Sequence, residues 1–132
     1  GGMAWVAEHH LAAAVSEAGG AGIIAAGGRE AAWLQEQIRL AKTLTTKPFG
    51  VNVQLMAANK EEILAVICQE RVAFVTLGAG NPVPYFAQLQ AAGIKAIPVV
   101  PNAKLILKNV GINESGNLIT KLELLQDLLN VR

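Results

Sequence analysis

Lys47-Pro48-Phe49-Gly50-Val51-Asn52-Val53 is the stretch on which the reading of this chain turns. It has the short, β-branched, nearly apolar make-up of a strand buried on both faces. Yet it carries one amide, Asn52, close to the point where the strand should hand over to a loop. At the carboxyl end of a parallel strand a side chain meets ligand rather than core. Asn52 is therefore a candidate site residue.

Three further runs share this character: Ile23-Ile24-Ala25-Ala26, Ala73-Phe74-Val75-Thr76-Leu77 and Ala96-Ile97-Pro98-Val99-Val100. The four runs begin at 23, 49, 73 and 96, and each ends near Gly, Asn or Pro. The intervals leave room for one helix and two short loops between successive strands, a repeated βα unit. Between them, Glu30 to Leu44 places Ala31, Leu34, Ile38 and Ala41 at helical spacings. Asn59-Lys60-Glu61-Glu62 opens the next helix in the manner of a capping box. Asn81-Pro82 opens another, and Gly93 closes it before the strand over Lys95 to Val100.

The flanks are less regular. Gly1 to Trp5 looks like the end of a strand, and His9 to Ala18 a helix stopped by Gly19-Gly20. Beyond Pro101 the pattern degrades: Ala103 to Val110 and the leucine-rich Lys121 to Val131 are helical, Asn113 to Asn117 is a loop, and Ile112 or Leu118-Ile119 could each supply a strand fragment. The whole is expected to form one α/β domain over 1–132, with parallel strands and right-handed crossovers. Two closures fit: an open doubly wound sheet, which the length of 132 residues favours, or part of a (βα)8 barrel.

Composition narrows the function classes. The chain is 52% hydrophobic and only 5% aromatic, as suits a buried sheet flanked by small-faced helices. A formal net charge of +1, with Lys and Arg scattered, gives no electrostatic footprint for nucleic acid or an acidic membrane surface. No apolar run reaches the ~18 to 20 residues of a membrane span, and no signal-like segment opens the sequence. One cysteine, Cys68, precludes an intrachain disulfide and favours a reducing, cytoplasmic setting. It reads as a small buried side chain of a helix. His9 and His10 read as surface residues, and as neighbours on a helix they do not share a face, so no metal site is expected. Trp5 and Trp33 read as packing residues.

Five blocks carry a family resemblance: Gly1-Gly-Met-Ala-Trp5; His10 to Gly20 with Gly22-Ile-Ile24; Lys47 to Val53; Thr76-Leu-Gly-Ala-Gly-Asn-Pro82; and Gly93 to Pro101. In order and spacing they resemble the N-terminal half of the FMN-dependent enoyl-acyl-carrier-protein reductases II, within the nitronate monooxygenase-like (2-nitropropane dioxygenase) family of TIM barrels. The resemblance runs from residue 1 to about residue 101 and implies a partial, half-barrel fold. It leaves 102–132 as a divergent or contracted segment.

The resemblance also implies chemistry. FMN would lie along the backbone of Met3 and Ala4, approach closely at Gly27, and receive a hydrogen bond at its ring edge from Asn52. Thr76 and Gly78 would line the substrate side. NAD(P)H would be the reductant and an acyl-carrier-protein or coenzyme A enoyl thioester the acceptor, in fatty acid biosynthesis, with a homo-oligomer expected. Relatives carry a Glu-Ala-Gly-Gly-His loop and two glycine-rich phosphate-binding strand ends. The nearest segment here, Glu114-Ser-Gly-Asn117, lacks the histidine, and no phosphate cradle is found in the sequence. Two alternatives follow. One is oxidation of alkyl nitronates on the same scaffold, which calls for a histidine base that neither His9 nor His10 can provide. The other is a catalytically inactive half-barrel that self-associates through unpaired sheet edges.

Overall fold

The computed structural model describes residues 2–99. The expectations for 102–132, including the helices over Ala103 to Val110 and Lys121 to Val131, the strand fragments and the Glu114 to Asn117 loop, lie outside the described residues. So does the single-domain reading of 1–132.

Within the described residues, helices and strands alternate: α1 (His9–Glu17), β1 (Gly22–Ala25), α2 (Ala31–Leu44), β2 (Phe49–Gln54), α3 (Lys60–Glu70), β3 (Phe74–Gly78), a 3-10 turn (Val83–Tyr85), α4 (Phe86–Ala91) and β4 (Lys95–Pro98). All four strands are parallel and lie in the order β1-β2-β3-β4. That order decides between the two closures. Right-handed crossovers that always step in one direction place every helix on the same side of the sheet, whereas a doubly wound sheet must reverse. The sheet is α/β with the layout of part of a barrel.

The alternating side chains sort accordingly. Ile24, Val51, Val53, Val75 and Leu77 are buried and join Leu34 and Ile38 of α2, Ile63, Leu64 and Ile67 of α3 and Leu89 of α4 in one core cluster. Burying a side chain of this size contributes about 1.5 to 3 kcal/mol, so this face carries the stability. The opposite face presents Ala25, Gly50, Asn52, Gln54, Phe74, Thr76 and Gly78, by the period of two along each strand. Gly50 pairs with Phe74. A Cβ on Gly50 would overlap the Phe74 ring and stand 2.7 Å from its carbonyl oxygen, so the phenyl ring lies over Gly50 and closes the lower end of this face.

Several local expectations change. Residues 4–6 form a turn, and no strand is assigned from Gly2 to Glu8. The Asn59 side chain makes no cap hydrogen bond; its Nδ2 donates instead to the Arg29 carbonyl at 2.9 Å, a tertiary acceptor that outcompetes the local capping box. Glu8, not a Ser, Thr, Asp or Asn, caps α1, accepting from the backbone amides of His10 and Leu11 at 3.1 and 3.2 Å. Cys68 is half-buried against the core, and burial pushes its thiol up. No helix among the described residues is long and apolar enough to cross a membrane.

Candidate functional site

The helix-free face opens at the carboxyl ends of the strands into a cleft of about 280 Å³. One wall is the turn bearing Gly2 and Ala4; the strand ends supply Ala25 and Gly27, Asn52 to Gln54, Gly78 and Ala79, and Val99. Asn52 stands in register between Ala25 and Thr76. Its Nδ2 donates to Thr76 Oγ1 at 2.8 Å, which fixes the orientation of the amide. The second Nδ2 hydrogen and Oδ1 have no partner among the described residues, so Asn52 offers both a donor and an acceptor. Ascending this face, the rows run from the Gly50–Phe74 floor, through the Asn52–Thr76 pair, to Gln54 beside Gly78.

The cleft is shaped by missing side chains. A Cβ on Gly27 would meet only Gln54 Oε1 at 3.5 Å, and one on Gly78 only Val99 Cβ at 3.7 Å. Both are ordinary contacts, and neither glycine has a positive φ. Packing therefore does not demand glycine at either position; what glycine provides there is open backbone facing the cleft. Backbone strain gathers nearby, with Trp5 at φ 73° and Ala79 at φ 54°, both in the left-handed region.

Of the residues singled out from sequence, Ala4, Gly27, Asn52 and Gly78 are brought together around the cleft. Met3 does not line it; its side chain is exposed, and its carbonyl accepts from Val6 and Ala7 to close the turn. Thr76 does not line the cleft; it stands beside Asn52 in the same row as its hydrogen-bond partner. Sequence reasoning missed Gly2 and Gln54. The second was legible, since it stands two residues beyond Asn52 and shares its face. A flat ring with polar edges fits these surroundings: glycine backbones at Gly2, Gly27 and Gly78, and an oriented amide with free donor and acceptor. The flavin implied by the resemblance is such a group.

Trp5 is not a packing residue. It is 70% exposed, and the Arg29 guanidinium carbon lies 3.8 Å from its ring centre. Trp33, on α2, does pack on the core and flanks the same guanidinium at 4.5 Å. The histidines also depart from expectation. His10 is exposed, but the His9 side chain is only 14% exposed. His9 Nδ1 lies 2.6 Å from Gln37 Oε1 and 2.8 Å from Glu8 Oε2, two acceptors, so this nitrogen carries the proton. Glu8 Oε2 also meets His10 Nδ1 at 3.0 Å, which draws the two rings to 3.9 Å between centroids. Their ligand atoms and that of Glu8 lie within 4.8 Å of one another. The Glu8 carboxylate is engaged in capping at the positive end of α1, where a bound cation is disfavoured.

This architecture is that of part of a βα barrel, with a candidate site built from strand ends. Residues 1–66 match the family model described as nitronate monooxygenase, and the chain belongs to that family. Among curated proteins it is 36% identical over 103 residues to (3aS,4S,5R,7aS)-5-hydroxy-7a-methyl-1-oxo-octahydro-1H-indene-4-carboxyl-CoA dehydrogenase of Rhodococcus jostii, and 34% identical to the protein of the same name from Mycobacterium tuberculosis. Each match takes in 78% of this chain and 29% of the relative. Among solved structures it is similar to FabK from Thermotoga maritima, with 43% identity and a TM-score of 0.79 over 84% of this chain and 36% of that one. A nitroalkane oxidase from Streptomyces ansochromogenes follows at 29% identity and a TM-score of 0.67, over 74% and 38%. The chain thus spans between a quarter and two fifths of these relatives.

Proposed function

We propose that the chain forms the N-terminal portion of a flavin-dependent oxidoreductase barrel that reduces enoyl thioesters with NADH or NADPH. The observation that carries this reading is the Asn52 amide, fixed by the Thr76 hydroxyl and presented with a free donor and acceptor to a glycine-walled cleft. FMN, when bound, supplies the carrier that takes hydride from the nicotinamide and passes it to the β-carbon of the thioester. The work left to these residues is positional. Gly2, Ala4 and Gly27 offer backbone to one side of the ring, Asn52 orients its polar edge, and Phe74 over Gly50 shuts water out below. Similarity to FabK at 43% identity supports the thioester reading, and a relative named as a carboxyl-CoA dehydrogenase supports a thioester ligand.

Oxidation of nitronates is the second reading, supported by the family model and the nitroalkane oxidase likeness. The greater likeness to FabK, at 43% identity against 29% for the nitroalkane oxidase, favours the first. Titration with FMN, followed by flavin absorbance and fluorescence, tests both: saturable binding is expected, and an unchanged flavin signal rejects them for this chain. Thioester-dependent oxidation of NAD(P)H against nitronate-dependent oxygen uptake then separates the two. A homo-oligomeric assembly in the cytoplasm, with acyl-carrier-protein or coenzyme A as thioester carrier, belongs to the same proposal. Sedimentation equilibrium checks the assembly, and a stable monomer would count against it.

A further inference from the structure

Arg29 lies on the loop between β1 and α2, two residues beyond Gly27, and its guanidinium carbon lies over two indole rings. Trp5 approaches from the N-terminal turn at 3.8 Å and Trp33 from the first turn of α2 at 4.5 Å. Contact with the aromatic rings uses the guanidinium's charge and leaves its N–H donors for a polar partner. Among the described residues no carboxylate pairs with Arg29. Its Nε is the one buried side-chain nitrogen or oxygen there with no hydrogen-bond partner.

Beyond the two indole rings, nothing among the described residues partners this cation. Arg29 precedes α2, a helix of 14 residues, and so stands at the positive end of its dipole, where a cation is disfavoured. Trp5, which covers the guanidinium, has a left-handed backbone that costs a non-glycine residue about 1 to 2 kcal/mol. Asn59 ties down the Arg29 carbonyl at 2.9 Å. The stack adjoins the cleft through the chain: Trp5 follows Ala4 and Arg29 stands two residues beyond Gly27, and both Ala4 and Gly27 line it. A rigid guanidinium edge is suited to the paired oxygens of a phosphate.

We propose that Arg29 is an anion-binding residue on the rim of the cleft, taking a phosphate or pyrophosphate ester. On the function proposed above, that ester belongs either to the nicotinamide dinucleotide or to the phosphorylated thioester carrier. The stack itself requires neither identity.

The chain has two tryptophans, and both are in this stack, so intrinsic fluorescence reports directly on it. Inorganic pyrophosphate is expected to change that fluorescence saturably. Arg29→Gln should weaken binding about tenfold or more, the loss of a charge-assisted hydrogen bond. Arg29→Lys should fall between, because an ammonium lacks the fork. Thermal melting by circular dichroism verifies that the variants fold, and Arg29→Lys alone decides the matter if Arg29→Gln does not. Equal affinity in the wild type and the folded variants, or no saturable response, overturns the proposal. Calorimetry with NADH and with coenzyme A, each against its phosphate-free counterpart, nicotinamide riboside and pantetheine, identifies the source. The ligand whose affinity drops in Arg29→Gln is the occupant, and if neither drops the proposal fails. Failure of FMN to bind, with pyrophosphate binding still dependent on Arg29, would reject the oxidoreductase reading and leave this site standing.

Discussion

Asn52 donates its side-chain amide to the Thr76 hydroxyl at 2.8 Å across two neighbouring parallel strands, one row before Gln54 and Gly78 on the same face. The bond converts a rotatable amide into a fixed pair of polar atoms. Replacement by alanine removes both the bond and the cleft's oriented donor. Asn52→Ala is expected to lower FMN affinity about tenfold or more while costing only about 1 kcal/mol of stability. Thr76→Val, which leaves the amide in place but frees its orientation, should weaken FMN less. Flavin titration beside thermal melting checks both, and equal FMN affinity in Asn52→Ala and wild type would remove Asn52 from the site.

Gly50 and Phe74 make the floor by mutual exclusion of volume. Gly50→Ala should destabilise the fold by about 1 to 3 kcal/mol, the usual cost of overpacking a filled site. Since the clash is with one side chain as well as the backbone beside it, Gly50→Ala combined with Phe74→Leu should recover part of the loss. Denaturant unfolding of the two single variants and the double variant measures the coupling; strictly additive losses would show that the ring does not lie where described.

Acid stability should depend on Glu70. Burial opposes ionisation of its carboxyl, but hydrogen bonds from Gln35 and Arg39 and the charges of Arg39 and Lys42 outweigh that and hold it below the usual carboxylate range. A depressed folded pKa means that the ionised form favours folding. The contribution is present above the ordinary value of 4.5 and is lost as the pH falls below it. Melting temperature should therefore decline between about pH 5 and pH 3. Glu70→Gln, a loss of up to about 1 kcal/mol at neutral pH for so exposed a set of partners, should flatten that decline. Parallel curves for the two proteins would rule Glu70 out as the source.

Glu8 is an uncommon N-cap, and its variants separate capping from charge. Glu8→Ala should cost about 1 kcal/mol through the two amides it leaves unsatisfied. Glu8→Gln keeps an acceptor for His10 and Leu11 and should recover much of that, losing only what the carboxylate gives the two histidine rings. Thermal melts at pH 7 distinguish these, and a Gln variant as unstable as the Ala variant would show that the charge dominates.

Much of the frame was legible because it depends on near neighbours in the chain. The runs at 23, 49, 73 and 96 became strands to within a residue or two, and the three- and four-residue spacing of Leu34, Ile38 and Ala41 became one buried stripe of α2. What could not be read depends on partners distant in sequence. Asn59 carries a capping signal, yet its amide is claimed by the carbonyl of Arg29, 30 residues away. Trp5 looks apolar in isolation and is an exposed cover for a cation supplied by another loop. Gly27 and Gly78 could be marked as glycines but not as open ones, since the space beside a glycine exists only once its neighbours are placed. The choice between barrel and open sheet likewise needed the strand order, which no spacing encodes.

The alternation along β2 and β3 has a consequence for how such a protein can change. Every second residue, Val51, Val53, Val75 and Leu77, answers to the helices behind the sheet, while above the Gly50–Phe74 floor Asn52, Gln54, Thr76 and Gly78 answer to whatever enters from the front. The two sets are interleaved in sequence but separated in space by the thickness of one backbone. A substitution in one set scarcely disturbs the other, so the same few strands can be rewritten for a new ligand without renegotiating the fold that holds them.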